Sequence, residues 1–310
     1  MAMRFDVIVV GDYCLDLIFM GLPSAPQPGR EVVADAFDMV PGGTCNTAIA
    51  LHRLGVSVGW AGDFGTDAFS QQILSQARAE GLDERLFVRH DRSLRRVTVS
   101  ASFPGDRTFI AYYDPDPTVP AGLKALAKAS ARLVYVPGLY TGSAFKLGTQ
   151  LMRTKGMRLV MDGNTNVETS LADPKVRGAI QAAEIFLPNR AEALRLSGET
   201  DLERALSALG GLCPLVVVKD GAQGAFAIQS GQVIHAPAIP VKPLDTTGAG
   251  DAFNAGFLKA WLSDLPLPEC LRWGNIVGGL STLGPGGTGK VIREPEVREW
   301  LREGDVGGKR

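Results

Sequence analysis

Short apolar runs separated by polar, helix-like stretches recur along most of the chain. Residues 5–10 (FDVIVV) end at Gly11, the pattern of a strand buried on both faces. Residues 17–40 are extended and Pro-rich, with β-like pieces at 17–20 and 32–39, and read as an excursion from the main sheet. A helix is predicted from the Asn46 region through Leu54, with Ala48, Leu51 and Leu54 apolar. Residues 56–62 read as a strand and 67–81 as a helix. From 95 to 103 the pattern alternates, with Val97, Val99, Ala101 and Phe103 on one face. Gly105-Asp106 then turns into a second strand at 108–113, which makes a β-hairpin. Paired with the pieces at 17–39, this hairpin completes a small four-stranded sheet lying over the main domain.

Beyond it, strands predicted at 132–136, 158–161, 185–187 and 215–218 are interleaved with helices at 143–155 and 190–196. Strand–helix alternation at this spacing argues for a parallel α/β sheet. A late hairpin at 225–228 and 233–235 leads into 241–262, and helices at 267–283 and 294–302 close the chain before a frayed tail at 304–310. No fixed-period repeat is present.

Composition narrows the setting. With 310 residues, 45% of them hydrophobic, the chain can bury a substantial core as one large or two modest domains. Lys and Arg number 32 against 33 Asp and Glu, a net charge of −1, which points to neither nucleic acid nor an anionic membrane. Any phosphate site must therefore be local. Cys14, Cys45, Cys213 and Cys270 lack metal or disulfide spacing and read as reduced thiols. The chain enters a strand directly, without a signal-peptide layout or a membrane-length apolar run, and a cytoplasmic location is expected.

The stretch 241–262, VKPLDTTGAGDAFNAGFLKAWL, organises the rest. Phe253, Gly256, Phe257, Ala260 and Trp261 fall on one helical stripe. Thr246 and Thr247 are placed to cap that helix, and Gly248, Ala249 and Gly250 leave their N–H groups unobstructed. Free amides at the positive end of a helix form an anion site. Asp251 follows in the first turn. A carboxylate beside an anion cradle suits phosphoryl transfer, taking the proton of an attacking hydroxyl. The plain alternative is that Asp251 only complements the helix dipole, but a cap alone does not need the run of small residues.

Other candidates flank strand ends. Asp12 and Asp16 follow the first strand, where ligands of parallel sheets sit. Gly42 and Gly43 allow close backbone approach, and Asn46 brings a donor and an acceptor to a helix start. Asn189 and Glu192 form an N-x-x-E pair that also reads as an ordinary helix cap. Lys219-Asp220-Gly221-Ala222-Gln223-Gly224 is either a hairpin turn or a phosphate contact, with Lys219 as a point charge. Residues 284–291 (GPGGTGKV) narrowly miss the P-loop pattern: Val291 has no hydroxyl, and a helix, not a strand, precedes them. His52, His90 and His235 lack metal spacing, no GxGxxG follows the first strand, and no GxSxG occurs.

DTTGAGDAFNAGF resembles the C-terminal signature of the ribokinase family, the PfkB-type carbohydrate kinases. Gly42-Gly43 with Asn46 and the following helix is similar to its N-terminal signature, although Thr44-Cys45 departs from it. The strand–Gly–xxxx–Asp opening, the N-x-x-E pair and a T-x-G-x-x-G-like turn, with Lys219 in place of Thr, occur in family order across 7–289. The resemblance implies a ribokinase-like α/β fold: one domain over 1–310, a central mostly parallel sheet flanked by helices, and a β-sheet lid from about 14–39 and 94–116. It implies transfer of the ATP γ-phosphoryl group to a hydroxyl of a small sugar or sugar acid. Asp251 would be the general base, with Gly248, Ala249 and Gly250 as the anion hole. Asp12, Asp16, Gly42, Gly43 and Asn46 would hold the acceptor. Asn189, Glu192, Lys219, Gly221, Gly224, Asn275 and Gly287 would lie along the nucleotide, Glu192 organising Mg²⁺ through water. Asp245 and the glycine-rich loop would hold a monovalent cation such as K⁺. The lid would close over the sugar and pair two copies as a homodimer. Two alternatives stand: a nucleoside kinase, favoured if the lid aromatics Phe37, Phe109, Tyr112 and Tyr113 stack a base and do not simply pack between strands, and a non-catalytic sugar- or nucleotide-binding regulator.

Overall fold

The computed structural model describes residues 3–165 and 168–307. The chain begins with β1 (Met3–Val10), β2 (Tyr13–Met20), β3 (Ala36–Gly43), α1 (Thr44–Arg53), β4 (Val58–Ala61), β5 (Asp63–Phe64), α2 (Ala68–Ala79), β6 (Val88–Arg89), β7 (Arg96–Phe103) and β8 (Asp106–Tyr113). Alternation follows: α3 (Ala121–Lys128), β9 (Ala129–Val136), α4 (Ser143–Thr154), β10 (Arg158–Asp162), α5 (Pro174–Gln181), β11 (Ile185–Leu187), α6 (Arg190–Ser197), α7 (Leu202–Gly210) and β12 (Leu215–Lys219). The hairpin β13 (Ala225–Gln229) and β14 (Gln232–Ala236) leads to α8 (Ala249–Leu262), α9 (Leu267–Ser281) and α10 (Glu294–Gly307).

Eight strands form the main sheet in the order β14-β13-β12-β11-β10-β9-β1-β4. All neighbours from β12 to β4 are parallel, and β13 alone runs antiparallel, to β12 on one side and β14 on the other. Period-2 alternation splits β1 between two cores at its C-terminal half: Val7 and Val9 face α1, α2, α8 and α9, while Ile8 faces α3 to α7. Phe5 joins the Ile8 side across an irregular pairing in which Asp6 N and Val7 N both donate to Ser57 O. Burial on both faces is why these strands read as continuous apolar runs.

The second sheet, β3-β2-β7-β8, is the expected lid. It differs in extent from the sequence reading. β2 starts at Tyr13, directly after β1, and β3 runs through Gly43, so Gly42 and Gly43 end a strand that pairs with Tyr13 and Cys14. The register pairs Asp16 with Val40 and with Thr98, and Thr98 with Ala111. One face of the lid therefore carries Asp16, Arg96, Thr98, Phe109, Ala111 and Tyr113. The other carries Phe37, Val97, Val99, Ile110 and Tyr112.

Helices α3, α5 and α7 lie outside the sequence reading, and α10 runs on through Gly307, where a frayed tail was expected. Residues 308–310 of that tail lie outside the described residues. The stripe on α8 is also corrected. Ala252 through Leu258 are all buried, Asn254 included, because α8 lies between α1, α9 and the sheet. An apolar stripe gives way to burial nearly all round, and each buried Phe contributes about 2–3 kcal/mol. No described helix is long and apolar enough to cross a membrane. All four cysteines are buried and free.

Candidate active site

Helix α8 does not begin as the threonines suggested. Its N-cap is Gly248, at φ 73°, with no side-chain cap. Thr247 turns back instead: its N–H and hydroxyl both donate to Asp245 Oδ1, at 2.9 and 2.8 Å. Asp245 Oδ2 accepts from Gly286 N at 2.8 Å and so ties the anion loop to the glycine-rich loop after α9. An ideal Cβ on Gly248 would lie 2.4 Å from Gly287 Cα and 2.9 Å from Asn46 Nδ2. Only glycine fits there, both for the left-handed φ and for the close approach of two backbones. Ala249 N–H is turned onto Thr246 O at 3.3 Å, leaving the amides of Gly250 and Asp251 as first-turn donors with no carbonyl behind them. An added Cβ on Gly250 would touch only the Lys219 side chain, 3.6 Å away at Nζ.

Asp251 is held from α1. Asn46 Nδ2 donates to its Oδ2 and Thr47 Oγ1 to its Oδ1, each at 3.3 Å. Burial, and next the charge of Asp162, lift its carboxyl from 3.8 to about 6, against the pull of Asn46, Lys219 and Thr47. Asn46 Oδ1 is buried without a partner. Beneath Asp251 lies a network that sequence reasoning missed. Lys219 Nζ donates to Asp162 Oδ2 at 2.7 Å and to Asn254 Oδ1 at 3.3 Å. Asn254 Nδ2 donates to the same Asp162 oxygen and, at 3.0 Å, to Tyr135 Oη. The one polar residue amid the apolar run of α8, Asn254, was the available signal. Lys219 thus sits among carboxylates, under the edge of the anion loop.

The structure brings Asp12, Asp16, Gly42, Gly43 and Asn46 to the same end of the sheet. Asp12 pairs with Arg96 Nη2 at 3.2 Å, and burial lifts its carboxyl to about 6. Asp16 is likewise lifted to about 6 by burial. Gly42 makes room for it, since an added Cβ would lie 2.2 Å from Asp16 Oδ2. Gly43 sits at φ 62° against the backbone of Asp12 and Cys14. From the lid, Arg107 reaches the anion loop and donates to Thr246 Oγ1 at 3.2 Å. No sequence motif singled out Arg107 or Arg96.

On the other side, Asn189 and Glu192 form a complete capping box: Glu192 N donates to Asn189 Oδ1 at 2.9 Å and Asn189 N to Glu192 Oε2 at 2.7 Å. The plain reading of that pair is realised, and the Glu192 carboxyl also lies within electrostatic reach of Asp162 and Lys219, its pKa raised chiefly by burial. Gly224, at φ 89°, is a hairpin glycine pressed against Ala236 O, whereas Gly221 opens onto free space. Asn275 is spent on structure, its Nδ2 donating to Ala236 O and Pro237 O at 2.8 and 3.0 Å. Gly287 packs on Asn46 and Gly248. The 284–289 loop joins α9 to α10 through turns and is no P-loop. Among the described residues no group of three or more His, Cys, Asp or Glu could hold a metal ion.

A helix start that can hold an anion, with a proton acceptor one turn in and a β-sheet above, meets the needs of phosphoryl transfer to a hydroxyl. The family model described as pfkB family carbohydrate kinase matches residues 4–293, and the chain belongs to that family of ATP-dependent phosphotransferases. It is similar to ribokinase of Bacillus subtilis, 27% identical over 96% of this chain and 99% of that protein. It is 28% identical to a cytidine kinase of Thermococcus kodakarensis over 87% of this chain and 93% of that one. Its fold matches Arabidopsis thaliana ribokinase complexed with ribose and ATP, with TM-score 0.81, 21% identity and coverage of 97% and 99%.

Proposed function

We propose that the chain transfers the γ-phosphoryl group of ATP to a hydroxyl of a small sugar or sugar acid, with Asp251 as general base. One observation carries this. Asp251 stands at a glycine-lined helix start, oriented by Asn46 and Thr47, with a carboxyl near 6 that is ionised at neutral pH yet basic enough to take a proton. The site fits the nucleotide, since Gly221 opens onto free space and a Cβ on Gly250 would meet only the Lys219 side chain. Few carboxylates suit Mg²⁺, which keeps water and phosphate as ligands, and Glu192 would position it through water. ATP with Mg²⁺ supplies the transferable phosphoryl group and the charge that shields it.

The chain's own residues do the rest. The amides of Gly248 and Gly250 stabilise charge on the phosphoryl oxygens, and Ala249, its own N–H turned onto Thr246 O, shapes the loop that presents them. Lys219 and Gly221 lie along the phosphates, Gly224 keeps their turn tight, and Asn275 and Gly287 hold the nucleotide's walls in place. Asp12, Asp16, Gly42, Gly43 and Asn46 orient the acceptor, and the lid excludes water so that ATP is not hydrolysed. Asp245 anchors a K⁺-binding loop. The exposed apolar outer lid face, with Phe37, Ile110 and Tyr112, pairs two copies as a homodimer, and the reduced thiols fit a cytoplasmic enzyme.

The nucleoside-kinase reading is favoured by one observation: Phe109 and Tyr113 share the lid face that carries Asp16. Phe37 and Tyr112 lie on the opposite face. Asp251→Asn tests the central assignment. It should abolish phosphoryl transfer while leaving acceptor affinity within a few-fold, and turnover like the wild type would refute the assigned base.

A further inference from the structure

The glycine-rich loop after α9 has few side chains of its own to pack. Residues 286–288 are nevertheless buried, so hydrogen bonds must fix the backbone of 284–290. Among the described residues, two side chains bond that backbone. Asp245 accepts from Gly286 N at 2.8 Å. Arg53 Nη1 donates to Thr288 O at 2.7 Å and to Lys290 O at 3.2 Å. Arg53 is itself locked. Its Nε and Nη2 donate to the two oxygens of Glu80, at 2.9 and 2.6 Å, and its side chain is 7% exposed. The fork of the guanidinium thus spans the end of α2 on one side and the loop on the other.

Asn46 and Arg53 lie seven residues apart on α1 and share one face. The loop presses on Asn46: a Cβ on Gly287 would lie 2.7 Å from Asn46 Cγ. That packing matters because the amide has little else to orient it. Its Nδ2 donates to Asp251 Oδ2 at 3.3 Å, and its Oδ1 is buried without a partner. We propose that Arg53 is a positioning residue for the base: by holding the carbonyls of Thr288 and Lys290 it keeps the loop against Asn46, and so keeps Asn46 on Asp251. This rests on the kinase reading and goes beyond it. The plain alternative is an ion pair with Glu80 that only stabilises the fold. Lysine separates the two, because one ammonium keeps the charge but has no fork to span Glu80 and the loop.

The test is the pH dependence of kcat/KM on the full-length enzyme, by ADP release with Mg²⁺ and the best acceptor among ribose, fructose and cytidine. Rates are taken below each variant's melting temperature. Arg53→Lys should lower kcat/KM by about tenfold. Its acid limb should move up from about 6 by about half a pH unit, because Asn46 no longer favours the ionised carboxylate. The positive charge is retained, so the limb reports the lost bond. Gly287→Ala crowds Asn46 from the loop side and should move the limb the same way. Glu80→Gln leaves Arg53 on both loop carbonyls, and should melt lower yet keep kcat/KM within about threefold. In an Asn46→Ala background, Arg53→Lys should cost less than about twofold more. A limb that stays near 6 in Arg53→Lys, or in Gly287→Ala should the first variant not fold, overturns the proposal and leaves the kinase reading intact. So does a loss that multiplies with that of Asn46→Ala, or a Glu80→Gln loss as large as that of Arg53→Lys. No turnover by the wild type with any acceptor overturns both.

Discussion

Replacing Asp162 by Asn should move the acid limb of the pH–rate profile downward. Asp251 must be ionised to take a proton, so kcat/KM falls tenfold per pH unit below its pKa, near 6 in the wild type. Burial accounts for most of the lift and remains in the variant. The charge of Asp162 is the next cause, and the substitution removes it while leaving an amide to face Lys219 and Asn254. At an effective dielectric of about 20, a unit charge one side chain away is worth about 1–3 kcal/mol. At about 1.4 kcal/mol per pH unit, the limb should drop by about one unit or more. Lys219, left without its carboxylate, pulls in the same direction. Losing one partner of a buried ion pair also costs about 3–5 kcal/mol of stability, so rates should be taken well below the variant's melting temperature. The assay is coupled ADP release at saturating Mg²⁺ and ATP across the acid range. A limb that stays near 6 or moves up would refute both the assignment of the base and the account of its environment.

Other outcomes follow from the same geometry. Asp251 titrates higher in the folded chain than its ordinary 3.8, so the stabilisation linked to it is complete below about 3.8 and is lost as pH rises through 6. At pH 8 its ionised form therefore costs about 3 kcal/mol, and Asp251→Asn should melt higher than the wild type at pH 8, with the difference closing toward pH 4. Gly248→Ala should cost about 1–3 kcal/mol in urea unfolding, because a Cβ meets Gly287 at a left-handed φ. Arg107→Ala breaks the bond between lid and anion loop and should raise acceptor-independent ATP hydrolysis relative to transfer, read as ADP released without sugar.

Much of this was legible because the chemistry lies in local signals. The small-residue run before Asp251, the glycine pair before Asn46 and the strand–helix alternation are short-range patterns, and the fold placed them at one end of one sheet. What stayed hidden depends on long-range register. Arg96 and Asp12 are far apart in sequence and meet only because β2 pairs parallel with β7. Asp162, Lys219 and Asn254 come from three elements, and nothing local marks them as partners. The capping expectation for Thr246 and Thr247 failed because Asp245 outcompetes the helix for the Thr247 hydroxyl. Helices α5 and α7 carried usable signals, with Asp173 before Pro174 and Asp201 accepting from two first-turn amides. Their eight and nine residues are too short for a clear periodic pattern.

The most direct test of the central claim is transfer itself. Wild-type protein, ATP, Mg²⁺ and each candidate acceptor would be followed by phosphorus NMR alongside ADP release. The account predicts one new phosphomonoester signal on a sugar hydroxyl, formed mole for mole with ADP and absent in Asp251→Asn. ADP accompanied only by inorganic phosphate, or a phosphorylated product formed equally well by Asp251→Asn, would contradict it.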